Sequence, residues 1–148
     1  MKSEKLNQPE VWLRGKVPEI SDLLQPVAHA LLQAREDVQF FMHNFPEHLL
    51  WEKPSGRASV GFHLQHLTGV VDRMLTYAAG KELSDIQFSA LKNEGDSGTG
   101  ERVGKLVLAF DRKVDEAFEI LKNTPVDSLS DLRSVGRKKL PSSVIGLL

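Results

Sequence analysis

A chain of 148 residues, 41% hydrophobic and 26% charged, has the make-up of one globular domain able to bury a core without disulfide or metal staples. Its formal net charge of −1 gives no electrostatic reason to expect nucleic acid or an acidic membrane as partner. With no cysteine, disulfides, thiolate metal sites and a cysteine nucleophile are excluded, so any metal must be held by His, Asp or Glu.

Residues 1–17 read as a polar lead-in with one apolar anchor, Val11-Trp12-Leu13, and lack the apolar core of a secretory signal. No apolar run approaches the ~20 residues of a membrane span, so a cytoplasmic location is expected. Helical spacing of Leu23, Leu24, Val27, Leu31, Ala34, Val38, Phe41 and Met42 predicts a first long helix over about 22–44, with Pro26 near its start and Pro46 ending it. A connector with Trp51 and two prolines leads to Ser59, the N-cap of a second helix over 59–79 whose C′ residue is Gly80. Ser84 to Gln87 reads as a capping box opening a short helix to about Asn93, and the glycines from Glu94 to Gly100 predict a mobile loop. A third long helix spans about 101–123, closed by Pro125. Residues 124–140 read as irregular, and Pro141-Ser142-Ser143 as the start of a fourth helix, 141–148. Three long helices and no convincing strand predict a single all-α bundle domain over 1–148.

Among the five histidines, His63 and His66 stand at i and i+3 and share a helix face. At 3.6 residues per turn His63 falls at the edge of the apolar stripe, whereas His66 lies further round, on the flank shared with Arg73 and Tyr77. Two imidazoles suit zinc, nickel, copper or ferrous iron, but a catalytic zinc takes three protein ligands, so spacing alone leaves a hydrogen-bonded pair as the competing reading. His29 falls among core positions, where a satisfied core histidine accounts for it, and His43 suits a helix C-terminus. Gly95-Asp96-Ser97-Gly98 has the letters of a serine nucleophile signature without its β-barrel setting, and Gly98-Thr99-Gly100 lacks the strand and lysine of a phosphate loop. Asp111, Asp115, Glu116 and Glu119 read as a solvated helix face, and Arg137-Lys138-Lys139 is too short to argue for nucleic acid.

Trp51-Glu52-Lys53-Pro54, the run from Ser59 to Leu67, Asp72-Arg73 with Tyr77-Ala78-Ala79-Gly80, and Val135-Gly136-Arg137 leading to Leu140-Pro141 together resemble the DinB-like superfamily. These are four-helix bundles that include metal-dependent bacterial thiol transferases. The resemblance covers nearly all of the chain after the lead-in, with 81–100 as the insertion between the second and third helices. It implies a divalent metal, zinc or nickel, held by His66, with His63 as second choice or as a neighbour orienting a ligand or water. It also implies two further ligands in an H-x-x-x-H pair on a fourth helix that is incomplete or very short in this chain. The sequence would then be shorter than the natural protein, or a dimer mate would cover the gap.

Two functions follow as expectations. One is a metal-dependent thiol transferase or hydrolase-like enzyme, in which the metal activates water or a low-molecular-weight thiol and Arg73 and Tyr77 contact substrate. The other is a non-catalytic, stress-associated helical homodimer that binds a small ligand or none.

Overall fold

In a computed structural model, which describes residues 8–148, the protein is mostly helical and carries one small antiparallel sheet. Helix α1 spans Gln25–Met42, α2 Val60–Ala78, α3 Asp85–Lys92 and α4 Val103–Asn123. Strands β1 (Leu132–Val135) and β2 (Leu140–Ser143) follow, then a single turn of helix, α5 (Val144–Leu147). No described helix is long and apolar enough to cross a membrane.

The helix ends follow from the local sequence. Ser59 is 1% exposed, and its hydroxyl accepts from the Phe62 N–H at 3.1 Å, fixing where α2 begins. Gly80 takes φ +74° and turns the chain out of α2. Ser84 and Gln87 close a reciprocal capping box on α3. Helix α4 has no cap of its own, and the Glu47 carboxylate, from the connector after α1, accepts from the Val103 N–H at 3.2 Å.

Helix α4 is the shared surface. Its buried residues Val103, Leu106, Phe110, Val114, Ala117 and Leu121 recur every three to four positions, so one stripe serves α1 and α2 together. Leu121 packs with Ile20, Leu24, Ala28, Leu129 and Val144 at one end, and Val103 and Leu106 with Leu50 and Leu64 at the other. Between α1 and α2 runs an apolar groove of about 110 Å³, with Val27 and Leu31 on one bank and Val71, Met74 and Leu75 on the other.

Two expectations need correction. The stretch 124–140 is irregular only as far as residue 131, apart from a 3-10 turn at Val126–Ser128, and the chain is not free of strands: Leu132–Val135 pairs with Leu140–Ser143 in the register Leu132↔Ser143 to Val135↔Leu140. Gly136 (φ +68°) and Lys139 (φ +49°) make the tight turn, and Pro141 is tolerated because a two-stranded sheet has only edges. The helix expected over 141–148 therefore starts only at Val144, where the Ser143 hydroxyl accepts from the Gly146 N–H at 3.2 Å. Val144 and Leu147 are buried against the chain's own core, at 4% and 8% exposure. Of the anchor Val11-Trp12-Leu13, only Val11 is buried; Trp12 and Leu13 are more than half exposed.

Candidate functional site

The Ser59 cap sets the rotation of α2, and with it the flank that carries His66, Gly69 and Arg73 at intervals of three and four. That flank faces the segment after α3. Glu94 reaches back from it as a bridge: Oε1 accepts from Arg73 Nη1 at 2.7 Å, and Oε2 lies 2.7 Å from His66 Nδ1. The side chains of Glu94 and Arg73 are 7% and 8% exposed, while that of His66 is 44% exposed. Gly69 makes the approach possible, since a Cβ there would stand 2.6 Å from both Arg73 Nη1 and Glu94 Oε1.

The segment itself is pinned. Gln65 Oε1 accepts from the Gly95 N–H at 2.7 Å, and Gln65 Nε2 donates to Glu101 Oε2 at 2.8 Å. The expected mobile loop is thus fastened to α2 at both ends by one glutamine, with a short 3-10 turn, Ser97–Thr99, between them. Phe62 stacks on the His66 ring, with centroids 5.4 Å apart and 10° between planes.

A carboxylate only accepts, so the nitrogen of a neutral His66 that carries the proton is Nδ1, and the Nε2 lone pair is left without a partner among the described residues. Such an imidazole can accept a proton or bind a metal ion. A carboxylate behind the other ring nitrogen is the arrangement that orients metal-bound histidines. Among the described residues, however, no group of three or more His, Asp or Glu side chains is placed to hold a metal, so the residues present offer one good donor, not a complete site.

His63 does not share this setting. It is exposed and meets Phe62 edge to face at 5.3 Å, so the expectation that it is the more buried of the two is reversed. The reason is the 94–101 segment, which covers the His66 flank and leaves His63 on the open side. Arg73 is buried and committed to Glu94, whereas Tyr77, 8% exposed, lines a separate cleft beside the hairpin. His29 Nε2 lies 2.9 Å from the Gly15 carbonyl, His43 is exposed beside Asn44, and His48 is exposed. Within Gly95-Asp96-Ser97-Gly98, Asp96 Oδ1 accepts from the Gly98 N–H at 2.8 Å, a local turn. Asp111 and Asp115 are not simply a solvated face: they accept from Gln39 and Arg35 and tie α4 to α1.

Next to Arg73, Asp72 joins three helices. Its Oδ1 accepts from Lys113 Nζ and its Oδ2 from Gln87 Nε2, both at 2.7 Å. Burial pushes the Asp72 carboxyl up, but the bonds from Lys113 and Gln87 outweigh it and hold the group below the usual carboxylate range.

The residues that sequence reasoning missed are Glu94 and Gln65. Gln65 stood in the quoted run beside His66 without a role. Glu94 had one usable signal, a lone acid directly after a capped short helix, but nothing in its neighbourhood points to a partner 28 positions back. Compared with known proteins, the chain matches no family model and no curated protein.

Proposed function

We propose that the protein is a DinB-like helical bundle of metal-dependent type, and that His66 is its ligand to a divalent ion, zinc or nickel. The observation that carries this reading is the bridge from Arg73 through Glu94 to His66 Nδ1, which leaves Nε2 without a partner among the described residues on a side chain that is 44% exposed. Glu94 would fix the tautomer and the direction of the lone pair, Arg73 would hold Glu94, and Phe62 would keep the ring from rotating. Since no group of three such side chains stands together among the described residues, the remaining ligands would come from a second copy. A metal bound there supplies a nucleophile by lowering the pKa of a bound water or thiol. That chemistry belongs to a thiol transferase or hydrolase-like enzyme.

The test is a long-range ¹⁵N–¹H correlation spectrum of the imidazoles at about pH 8.5, where an ordinary imidazole is neutral, followed by a zinc chloride titration. His66 is expected in the Nδ1–H form, with its Nε2 resonance moving first as zinc is added. An Nε2–H tautomer at His66, or a His66 signal that zinc leaves in place, would sink the reading.

A second reading rests on the groove between α1 and α2. Its lining is wholly apolar, from Val27 and Leu31 to Met74 and Leu148, and solvent-facing surface of that kind marks interfaces. Here the protein is a helical homodimer that buries the groove, with or without chemistry at His66. Light scattering should then give about twice the 16.5 kDa chain mass, and a clean monomer would refute it.

A further inference from the structure

Beyond the turn that ends α2, a cleft of about 720 Å³ opens between α3 and the hairpin. It lies eleven residues along α2 from His66, ~16 Å at 1.5 Å per residue, so it is separate from the Glu94 bridge. The volume falls within the range of small-molecule sites. The charge of its walls is lopsided: Lys81, Arg133, Arg137 and Lys139 against one carboxylate, Glu82.

Those five groups divide by what they already hold. Lys139 is neutralised by Glu82. Arg133 donates through Nε to the Ala78 carbonyl at 2.7 Å, which satisfies an oxygen at the C-terminal end of α2 that would otherwise repel an anion. Lys81 and Arg137 make no ion pair among the described residues, and Arg137 lies over the Phe88 ring, 5.2 Å from its centroid. Two uncompensated cations facing one concave space repel each other, and a bound anion removes that repulsion. Beside them the wall turns apolar, with Leu83, a Phe88 that is 36% exposed and a Leu132 that is 85% exposed.

We infer that this cleft binds a small phosphate monoester with an apolar or aromatic body. A monoester carries about −1.5 to −2 charges at neutral pH, which matches the two free cations. The planar fork of Arg137, lying over the Phe88 ring, presents paired donors to phosphate oxygens, and Lys81 adds a mobile point charge. The apolar body rests on Phe88 and Leu132, with Tyr77 at the floor.

The test is calorimetric titration of the full chain at constant ionic strength with phenyl phosphate, inorganic phosphate and phenol. Phenyl phosphate is expected to saturate a single site, with inorganic phosphate weaker and phenol weaker still. Arg137→Gln and Lys81→Gln, both at exposed positions and leaving the helical circular-dichroism signal in place, are each expected to weaken phenyl phosphate about tenfold, the size of a lost charge-assisted bond. The proposal is overturned if phenyl phosphate shows no saturable binding up to about 10 mM, well beyond a specific small-molecule site. It is equally overturned if both variants bind as tightly as the parent, or if inorganic phosphate binds as tightly as its phenyl ester.

Discussion

Replacing Glu94 by glutamine leaves the Arg73 guanidinium, 8% exposed, facing a neutral amide with no other carboxylate bonded to it among the described residues. Removing one partner of a buried pair costs about 3–5 kcal/mol, because the survivor remains desolvated. Glu94→Gln should therefore lower the urea midpoint by the equivalent of that amount, while His63→Gln, at an exposed position, should leave it within about 0.5 kcal/mol. Equal midpoints for Glu94→Gln and its parent would mean the bridge contributes nothing to stability. Gly61 gives a second residue-level prediction. A Cβ there would stand 2.4–2.7 Å from three atoms of the Trp51 ring, which packs against the first turn of α2. Alanine gains about 1 kcal/mol of helix propensity over glycine. Overpacking against a fixed indole costs about 1–3 kcal/mol. Gly61→Ala should come out destabilised in thermal melts, and a stabilised variant would show that Trp51 moves aside freely. This contact explains why Trp51 and the Ser59-to-Leu67 run belong together, and half of the candidate site is legible in the same way: the serine cap and the spacing of His66 and Arg73 place them on one flank of α2. The other half is not. Glu94 has no periodicity to betray its direction, and only the docking of α3 and the Gln65 clasp bring it to α2.

Between elements, Asp72 is the joint: α2 supplies the carboxylate, α3 the Gln87 amide and α4 the Lys113 ammonium. The depressed carboxyl stabilises the fold above its unfolded pKa of about 3.9, and that contribution disappears as pH falls through the lower folded value. Burial pulls the Lys113 ammonium down, but its bonds to Asp72 and Glu116 prevail and raise it. Its contribution is complete below about pH 10.4 and disappears as pH rises through the folded value. Asp72 is 34% exposed, so solvent screening limits the pair to about 1 kcal/mol. Urea midpoints measured from pH 5 down to about 2.5 should fall less steeply in Asp72→Asn than in its parent. Parallel slopes would place the acid sensitivity elsewhere. The three long helices are legible because each pairs a stripe with a punctuating residue: Pro26 and Pro46, Ser59 and Gly80, or Pro125. The hairpin carries no such marks. Its strands are four residues each, Leu132 and Leu140 point to solvent, and Pro141 and the basic turn both argue against a strand unless the partner strand is known. Pairing decided it, and pairing is not local.

Taken whole, the molecule is built on α4, which touches both α1 and α2, and an apolar groove runs between those two along part of their length. Val114 and Ala117, at the middle of α4, are fully buried, yet Leu31, Val71, Met74 and Leu75 on the banks of the groove are only partly buried. Those side chains contribute less to folding than their size allows, and the shortfall is recovered if a second copy covers them. Covering them in a homodimer couples folding to association: each tenfold rise in protein concentration adds about 1.4 kcal/mol to apparent stability. For a chain of this length that is about 2–4 °C in thermal midpoint. A charge placed in the groove blocks the second copy without touching the α4 stripe, so Met74→Glu should melt at one temperature at every concentration and scatter as a monomer. The parent should move upward with concentration over a hundredfold range. If parent and variant both melt independently of concentration, the groove is open in solution and the homodimer reading fails, while the Glu94 bridge, on another flank of α2, is left standing for its own tests.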